Sequence, residues 1–149
     1  MSQKSVIIHN KKASFEYHLL QSYTAGIMLT GTEVKSIREG KASLSEAFCL
    51  LTNSELWVKN MHISEFKQGS YNNHEPKRLR KLLLNKAELR KLESKLKEKG
   101  TTLIPVKLYF SERGFAKLDI SLARGKKTFD KREDLKRKDQ EREIRRVVR

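Results

Sequence analysis

The chain has 149 residues, enough for one domain, and its 33 Lys and Arg stand against 18 Asp and Glu for a formal charge of +15. It contains no apolar run of about 18 residues, so no membrane span is expected, and Val6-Ile7-Ile8 is too short for a signal-peptide core, which points to the cytoplasm. Cys49 is the only cysteine, which excludes internal disulfides and a cysteine-rich zinc site; beside Phe48, Leu50 and Leu51 it reads as a buried structural thiol.

Residues 1–5 are polar and expected to be loose. From 14 to 29 the pattern is β-like: Phe15, Tyr17, Leu19 and Tyr23 are spaced by even numbers and would share a face, and Gly26 marks a bulge or a close backbone approach. Thr30-Gly31-Thr32-Glu33 has capping-box spacing, with Thr30 as the cap and Glu33 reaching back. A short helix would follow through Val34 and Ile37 and stop at Gly40, with Lys35, Arg38 and Lys41 outside.

Residues 47–51 and 56–61 read as a hairpin around Asn53-Ser54. Trp57 lies in it, either packing against the fold or offering a surface for base stacking. A loop is expected over 68–77, punctuated by Gly69, Asn72-Asn73 and Pro76. The spacing then predicts a helix over 85–99: Asn85 caps, Glu88 follows three residues later, Leu89, Leu92 and Leu96 form one stripe, and Gly100 sits past the end. From residue 77 to residue 99 ten basic side chains face three acidic ones, so this region is a strongly cationic surface.

Ile104, Val106, Leu108 and Phe110 alternate with Pro105, Lys107 and Tyr109, and Pro105 suggests an edge strand because it donates no backbone hydrogen bond. After a tight turn at Glu112-Arg113-Gly114, Ala116, Leu118, Ile120 and Leu122 alternate with Lys117, Asp119 and Ser121, which points Lys117 away from the core. Beyond Ala123 the composition changes. Residues 124–149 hold 12 basic and 6 acidic side chains, too few apolar groups for a core of their own. Glu133 with Arg137, Asp134 with Lys138 and Glu141 with Arg145 are acid-first pairs at i,i+4, so the segment is expected to be disordered alone and helical on an anionic surface.

Five or six strands, a short helix and a longer one between hairpins suit a small closed antiparallel β-barrel of the OB type over 1–123, followed by a basic tail over 124–149. The clustered charge points to nucleic acid. An enzyme is not expected. His9, His18, His62 and His74 make no close metal-ligand pair with one another or with Cys49, and there is no phosphate-binding GxxxxGK[ST] loop and no GxSxG elbow. No catalytic residue, metal or cofactor is assigned, and no membrane partner.

Several motifs occur in order: Asn10-Lys11-Lys12-Ala13, Ala25-Gly26, Gly31-Thr32-Glu33-Val34-Lys35-Ser36-Ile37-Arg38, Arg80-Lys81-Leu82-Leu83-Leu84-Asn85, Ala123-Arg124-Gly125-Lys126-Lys127 and Asp130-Lys131-Arg132. In this combination the chain resembles the SsrA-binding protein family (small protein B) of bacterial trans-translation, from about His9 to Arg132. The resemblance implies binding to the tRNA-like domain of transfer-messenger RNA and delivery of that RNA to stalled ribosomes. It implies elongation factor Tu and alanyl-tRNA synthetase as partners only through the RNA, a monomeric protein, and a tail that senses an empty message channel near the decoding centre in the small-subunit rRNA. The rival reading is a generic OB-type RNA-binding protein or RNA chaperone.

The resemblance assigns RNA binding to Asn10, Lys11, Glu33, Lys35, Ser36, Arg38, Leu83 and Lys117. Glu33 is equally readable as a helix-capping residue, and Leu83 as core. It assigns ribosome binding to Gly125, Lys126, Lys127, Phe129, Asp130, Lys131 and Arg132, with Gly125 permitting a bend. Two residues depart from the common family pattern. Thr24 stands where many members carry Glu, so a local hydrogen bond must differ. Phe129 stands where many carry His, so it can stack on a base but cannot donate a hydrogen bond.

Overall fold

A computed structural model describes residues 6–68, 73–126 and 132. Among the described residues nine strands and three helices follow in chain order: β1 (Ile7–His9), α1 (Ala13–Glu16), β2 (Tyr17–Ile27), α2 (Gly31–Arg38), β3 (Ala42–Ser43), β4 (Phe48–Thr52), β5 (Glu55–Lys59), β6 (His62–Ile63), β7 (Arg80–Leu83), α3 (Lys86–Leu96), β8 (Thr101–Phe110) and β9 (Ala116–Gly125). The protein is mainly β. The large sheet runs β1-β8-β4-β5-β7-β2-β9, and a further pairing of β8 with β9 joins six of its strands into a ring, with β1 attached outside. All of these pairings are antiparallel. The short strands β3 and β6 pair separately.

Leucine, isoleucine and valine side chains from every side of the ring meet in one core, including Ile27, Leu56, Val58, Leu82, Leu103, Leu108, Leu118, Ile120 and Leu122. Alternation on β9 works as expected from Lys117 to Ile120, with Leu118 and Ile120 fully buried and Lys117 and Asp119 facing outward, but it fails at Ser121, which is fully buried. Cys49 is buried in this core, and burial pushes its thiol well above the ordinary range, as its apolar neighbours suggest.

The hairpin of β4 and β5 turns at Asn53 and Ser54 with φ of 52° and 61°, the paired positive values of a type I′ turn. Trp57 lies on its outward side, opposite Leu50 and Lys81, half-buried. The Glu33 carboxylate accepts the Thr30 backbone N–H at 2.8 Å, the expected reach-back at the start of α2. Gly40 ends that region with φ +75° and donates its N–H to the Ile37 carbonyl at 2.8 Å, a left-handed stop that a side chain would strain. Asn85 caps α3 by accepting the Glu88 N–H at 2.8 Å. Leu92 is fully buried and Leu89 and Leu96 pack beside it, but α3 ends at Leu96, three residues short of the expected end.

Two irregularities overturn strand expectations. The segment over 14–29 is not all strand, because α1 occupies its start. Between Leu19 and Gln21 the register of β2 on β9 shifts, so Tyr23, Ala25 and Ile27 face the core while Leu19 is 41% exposed. An extra residue reverses the inward phase, which no even-numbered spacing can reveal. The bulge therefore lies well before Gly26.

Pro105 is not at an edge. β8 pairs with β1, β4 and β9, and Pro105 sits opposite Ile120 beside a second register shift, between Pro105 and Lys107. A bulge accommodates a residue without an N–H. The shift also separates Leu103 and Leu108, in the main core, from Ile104, which packs with Ala13 and Ala123 in a satellite cluster bordered by Tyr17. β9 continues past Ala123, pairing Arg124 with His18 and Gly125 with Tyr17.

Candidate nucleic-acid interface

Cross-strand registers assemble a row on the outside of the ring. Leu83 of β7 stands opposite Gly26 of β2, Gly26 opposite Lys117 of β9, and Lys117 opposite Tyr109 of β8. Leu83 is 50% exposed, so its alternative reading as a core residue is set aside. Lys117 makes no hydrogen bond or ion pair with any described residue, which leaves its charge available.

The neighbouring row is neutralised internally. Thr24 Oγ1 donates to Asp119 Oδ1 at 3.0 Å, the Tyr109 hydroxyl donates to the same oxygen at 3.1 Å, and Lys107 Nζ lies 3.6 Å from Oδ2. Lys107 also stands 4.9 Å from the centre of the Tyr109 ring. Burial, reinforced by the Asp119 hydrogen bond and charge, raises the Tyr109 phenol above its ordinary value and keeps it a donor. Thr24 thus has a role in this chain: its hydroxyl ties β2 to β9 through Asp119. Sequence reasoning foresaw a changed hydrogen bond at Thr24 but not the partners, because Asp119 and Tyr109 are brought to it by register.

Lys35 and Arg38 are exposed on α2, and each leans on an aromatic ring: Lys35 Nζ is 5.5 Å from the Phe66 centroid, and the Arg38 guanidinium 5.5 Å from that of Phe110. Lys11 is exposed beyond β1. Asn10 is half-buried and pinned. Its Nδ2 donates to the Pro105 carbonyl at 2.8 Å and its backbone N–H to Val106 O at 2.8 Å, satisfying β8 beside its bulge.

Glu33 and Ser36 do not lie on that surface. Both are fully buried, so neither offers a surface to a macromolecule in this conformation. Ser36 lies on the inward face of α2, and its Oγ has no partner among the described residues. Glu33 is the centre of a buried network. Its Oε1 accepts from Arg78 Nη2 at 2.7 Å, and its Oε2 accepts from Arg80 Nε. Arg80, also fully buried, donates onward to the carbonyls of Met61 at 2.6 Å and Pro76 at 3.1 Å. Buried His74 continues the clamp: Nε2 donates to the Ile63 carbonyl at 2.9 Å, and Nδ1 lies 2.9 Å from the Thr32 hydroxyl. Helix α2, β6, β7 and the loop before β7 are thereby locked together, which fixes the helix that presents Lys35 and Arg38. Sequence reasoning found Glu33 but missed Arg78, Arg80 and His74, because a buried arginine in a basic stretch looks like a surface charge.

In the tail region, Gly125 ends β9 opposite Tyr17 with no positive φ, and Lys126 donates its N–H to Glu16 O at 2.7 Å and its Nζ to Ser14 O at 2.8 Å. Lys127, Phe129, Asp130 and Lys131 lie outside the described residues; Arg132 is exposed. Gly125 lies eight positions after Lys117 along β9, roughly 26 Å at strand rise. Among the described residues no three His, Cys, Asp or Glu side chains gather as metal ligands, and no helix is long and apolar enough to cross a membrane.

A family model described as SmpB protein matches residues 7–149. The chain belongs to the SmpB family. It is 59% identical over 144 residues to a protein of Cytophaga hutchinsonii named SsrA-binding protein, covering 97% of this chain and 94% of that one. A Bacteroides thetaiotaomicron protein of the same name is 57% identical over 147 residues, covering 99% and 98%. A chain of the solved structure "tmRNA-SmpB: a journey to the center of the bacterial ribosome" is 48% identical and superposes with a TM-score of 0.71, covering 83% of this chain and 86% of that one.

The Glu33 network makes a stability prediction. Burial raises the Glu33 carboxyl, but the hydrogen bonds from Arg78 and Thr30 and the Arg80 charge outweigh it and hold the group below the ordinary carboxylate range. A depressed folded-state value stabilises the fold fully above the unfolded value, and that stabilisation is lost as pH falls through the folded one. Glu33→Gln leaves the Arg80 charge buried without its counter-charge and is expected to cost about 3–5 kcal/mol. Thermal denaturation at neutral pH and in acid checks both. The wild type loses stability on acidification, and the difference between wild type and variant narrows.

Proposed function

We propose that this chain binds the tRNA-like domain of transfer-messenger RNA and helps deliver it to stalled ribosomes for trans-translation, without catalysis of its own. The observation that carries the reading is membership of the SmpB family, with relatives named SsrA-binding protein matching over nearly the whole chain. In this reading the strand ring is an OB-type barrel and residues 1–123 form the RNA-binding domain. The outward row of Leu83, Gly26 and Lys117 meets the folded RNA by shape and phosphate. Lys11, Lys35 and Arg38 add charge, whereas Asn10, Glu33 and Ser36 act by holding the strands and helix that carry the contacts.

Residues 124–149 form the ribosome-facing tail, disordered alone and helical when docked in a message channel that is empty. An occupied channel excludes it, so ordering of the tail reports the stalled state. The two jobs separate along β9: the RNA row lies at its start, and the tail leaves from its far end. The ribosome is met through Gly125, Lys126, Lys127, Phe129, Asp130, Lys131 and Arg132, with Phe129 stacking on rRNA. Elongation factor Tu and alanyl-tRNA synthetase join only through the RNA, and the protein works as a monomer in the cytoplasm.

The first test is competition binding of labelled SsrA RNA against excess bulk tRNA at near-physiological salt. Retained binding is expected. Loss in step with the tRNA concentration would leave a generic RNA-binding barrel. Lys117→Ala is expected to weaken SsrA RNA binding, lower the salt slope by about one, and leave the melting temperature nearly unchanged. Deletion of residues 131–149 is expected to spare RNA binding and abolish tagging on stalled ribosomes in a reconstituted translation assay; normal tagging would overturn the sensing role of the tail.

A further inference from the structure

Gly26 poses a question that the fold does not answer. A glycine inside a strand weakens it relative to alanine. Three structural demands commonly justify that cost, and Gly26 meets none of them. Its φ is not in the left-handed region, so the backbone does not require it. The register on β9 is continuous from Gln21 up to it, and the bulge of β2 lies at least five residues before it in the chain, between Leu19 and Gln21. A Cβ built on it would find Leu83 Cβ at 3.5 Å and Leu83 Cδ1 at 3.7 Å, ordinary contact, so no neighbouring side chain or strand fills its place.

What remains is approach from outside. Ala25 and Ile27 point into the core, so the missing side chain of Gly26 is on the outer face. There it forms a notch with two unlike walls. Leu83 stands on one side, and Met28, the residue just past the end of β2, is 54% exposed beyond it. Lys117, without a partner among the described residues, stands on the other, with the Tyr109 ring behind it. The backbone N–H and C=O of Gly26 lie within the β7–β2–β9 pairing, so the notch offers close contact rather than a row of free hydrogen bonds.

The geometry points to Gly26 as a binding residue in its own right: the notch over it admits one ribose of the bound RNA against Leu83, with the adjoining phosphate on Lys117. A sugar–phosphate unit matches the walls, one compact face for the leucine and one anionic group for the lysine. A phosphate alone would leave Leu83 without purpose. This deepens the RNA-binding reading above and rests on it.

The discriminating variant is Gly26→Ala. The added methyl fits against Leu83 and suits a strand, so the melting temperature is expected to hold or rise, whereas SsrA RNA binding is expected to weaken by about tenfold or more. Gly31→Ala, another glycine with open space around it, serves as the matched control and is expected to bind as the wild type does. The wild type is measured first against tRNA competitor. Unselective binding there overturns the partner, whereas selective wild-type binding with an undiminished Gly26→Ala variant overturns the notch. Should the variant lose stability, backbone amide NMR of the wild-type protein decides. RNA addition is expected to shift Gly26, Leu83 and Lys117 together, and an unmoved Gly26 signal would overturn the proposal.

Discussion

A carboxylate with no access to water, held by two arginines, is the constraint on which the α2 side of this protein depends. Glu33 and Arg80 are both fully buried, and neither charge is tolerable there alone. Their pairing draws in the Met61 and Pro76 carbonyls, so the ion pair also closes the hydrogen bonding of chain that has little regular structure. A hydrophobic pair could fill the same volume. It could not also satisfy the Thr30 N–H and the loop carbonyls, which need hydrogen-bonding partners. Residues named for RNA binding by resemblance can therefore matter to binding without touching RNA, by holding α2 where Lys35 and Arg38 are displayed.

The opposite side depends on register rather than on charge. β2, β7, β8 and β9 are antiparallel, and residues distant in sequence become cross-strand neighbours a few ångströms apart. One outward row, with Asp119 at its centre, consumes its own polar groups. The next leaves Leu83 exposed and Lys117 without a partner among the described residues, on either side of a glycine. The contrast between a neutralised row and an open one gives this face its polarity. β9 then carries the chain from the open row to Lys126, whose N–H and Nζ are tied down on Glu16 and Ser14.

Local signals were legible wherever the interaction that fixes them is local. The reach-back of Glu33 to Thr30, the Asn85 cap, the turn at Asn53-Ser54 and the outward Lys117 all follow from spacings of a few residues. Phase was lost at the bulges. Tyr23 and Leu19 do not share a face, and Ile104 and Leu108 serve different clusters, because one extra residue in a strand is invisible to a periodicity count. Pro105 misled for a related reason, since a bulge offers the same relief as an edge.

The sequence by itself determined a basic, mainly β protein, the boundaries of α2 and α3 to within a turn, the segment rich in charge after Ala123, and, through its ordered motifs, its family. Those properties depend on composition and on neighbours in the chain. Only the tertiary structure decided that Glu33 and Ser36 point inward, that Arg80 is core, that Thr24 bonds to Asp119, and that Leu83, Gly26 and Lys117 form one row. Each of those depends on which distant strand or loop lies alongside, and that is set by closure of the ring and its two bulges, not by any local pattern.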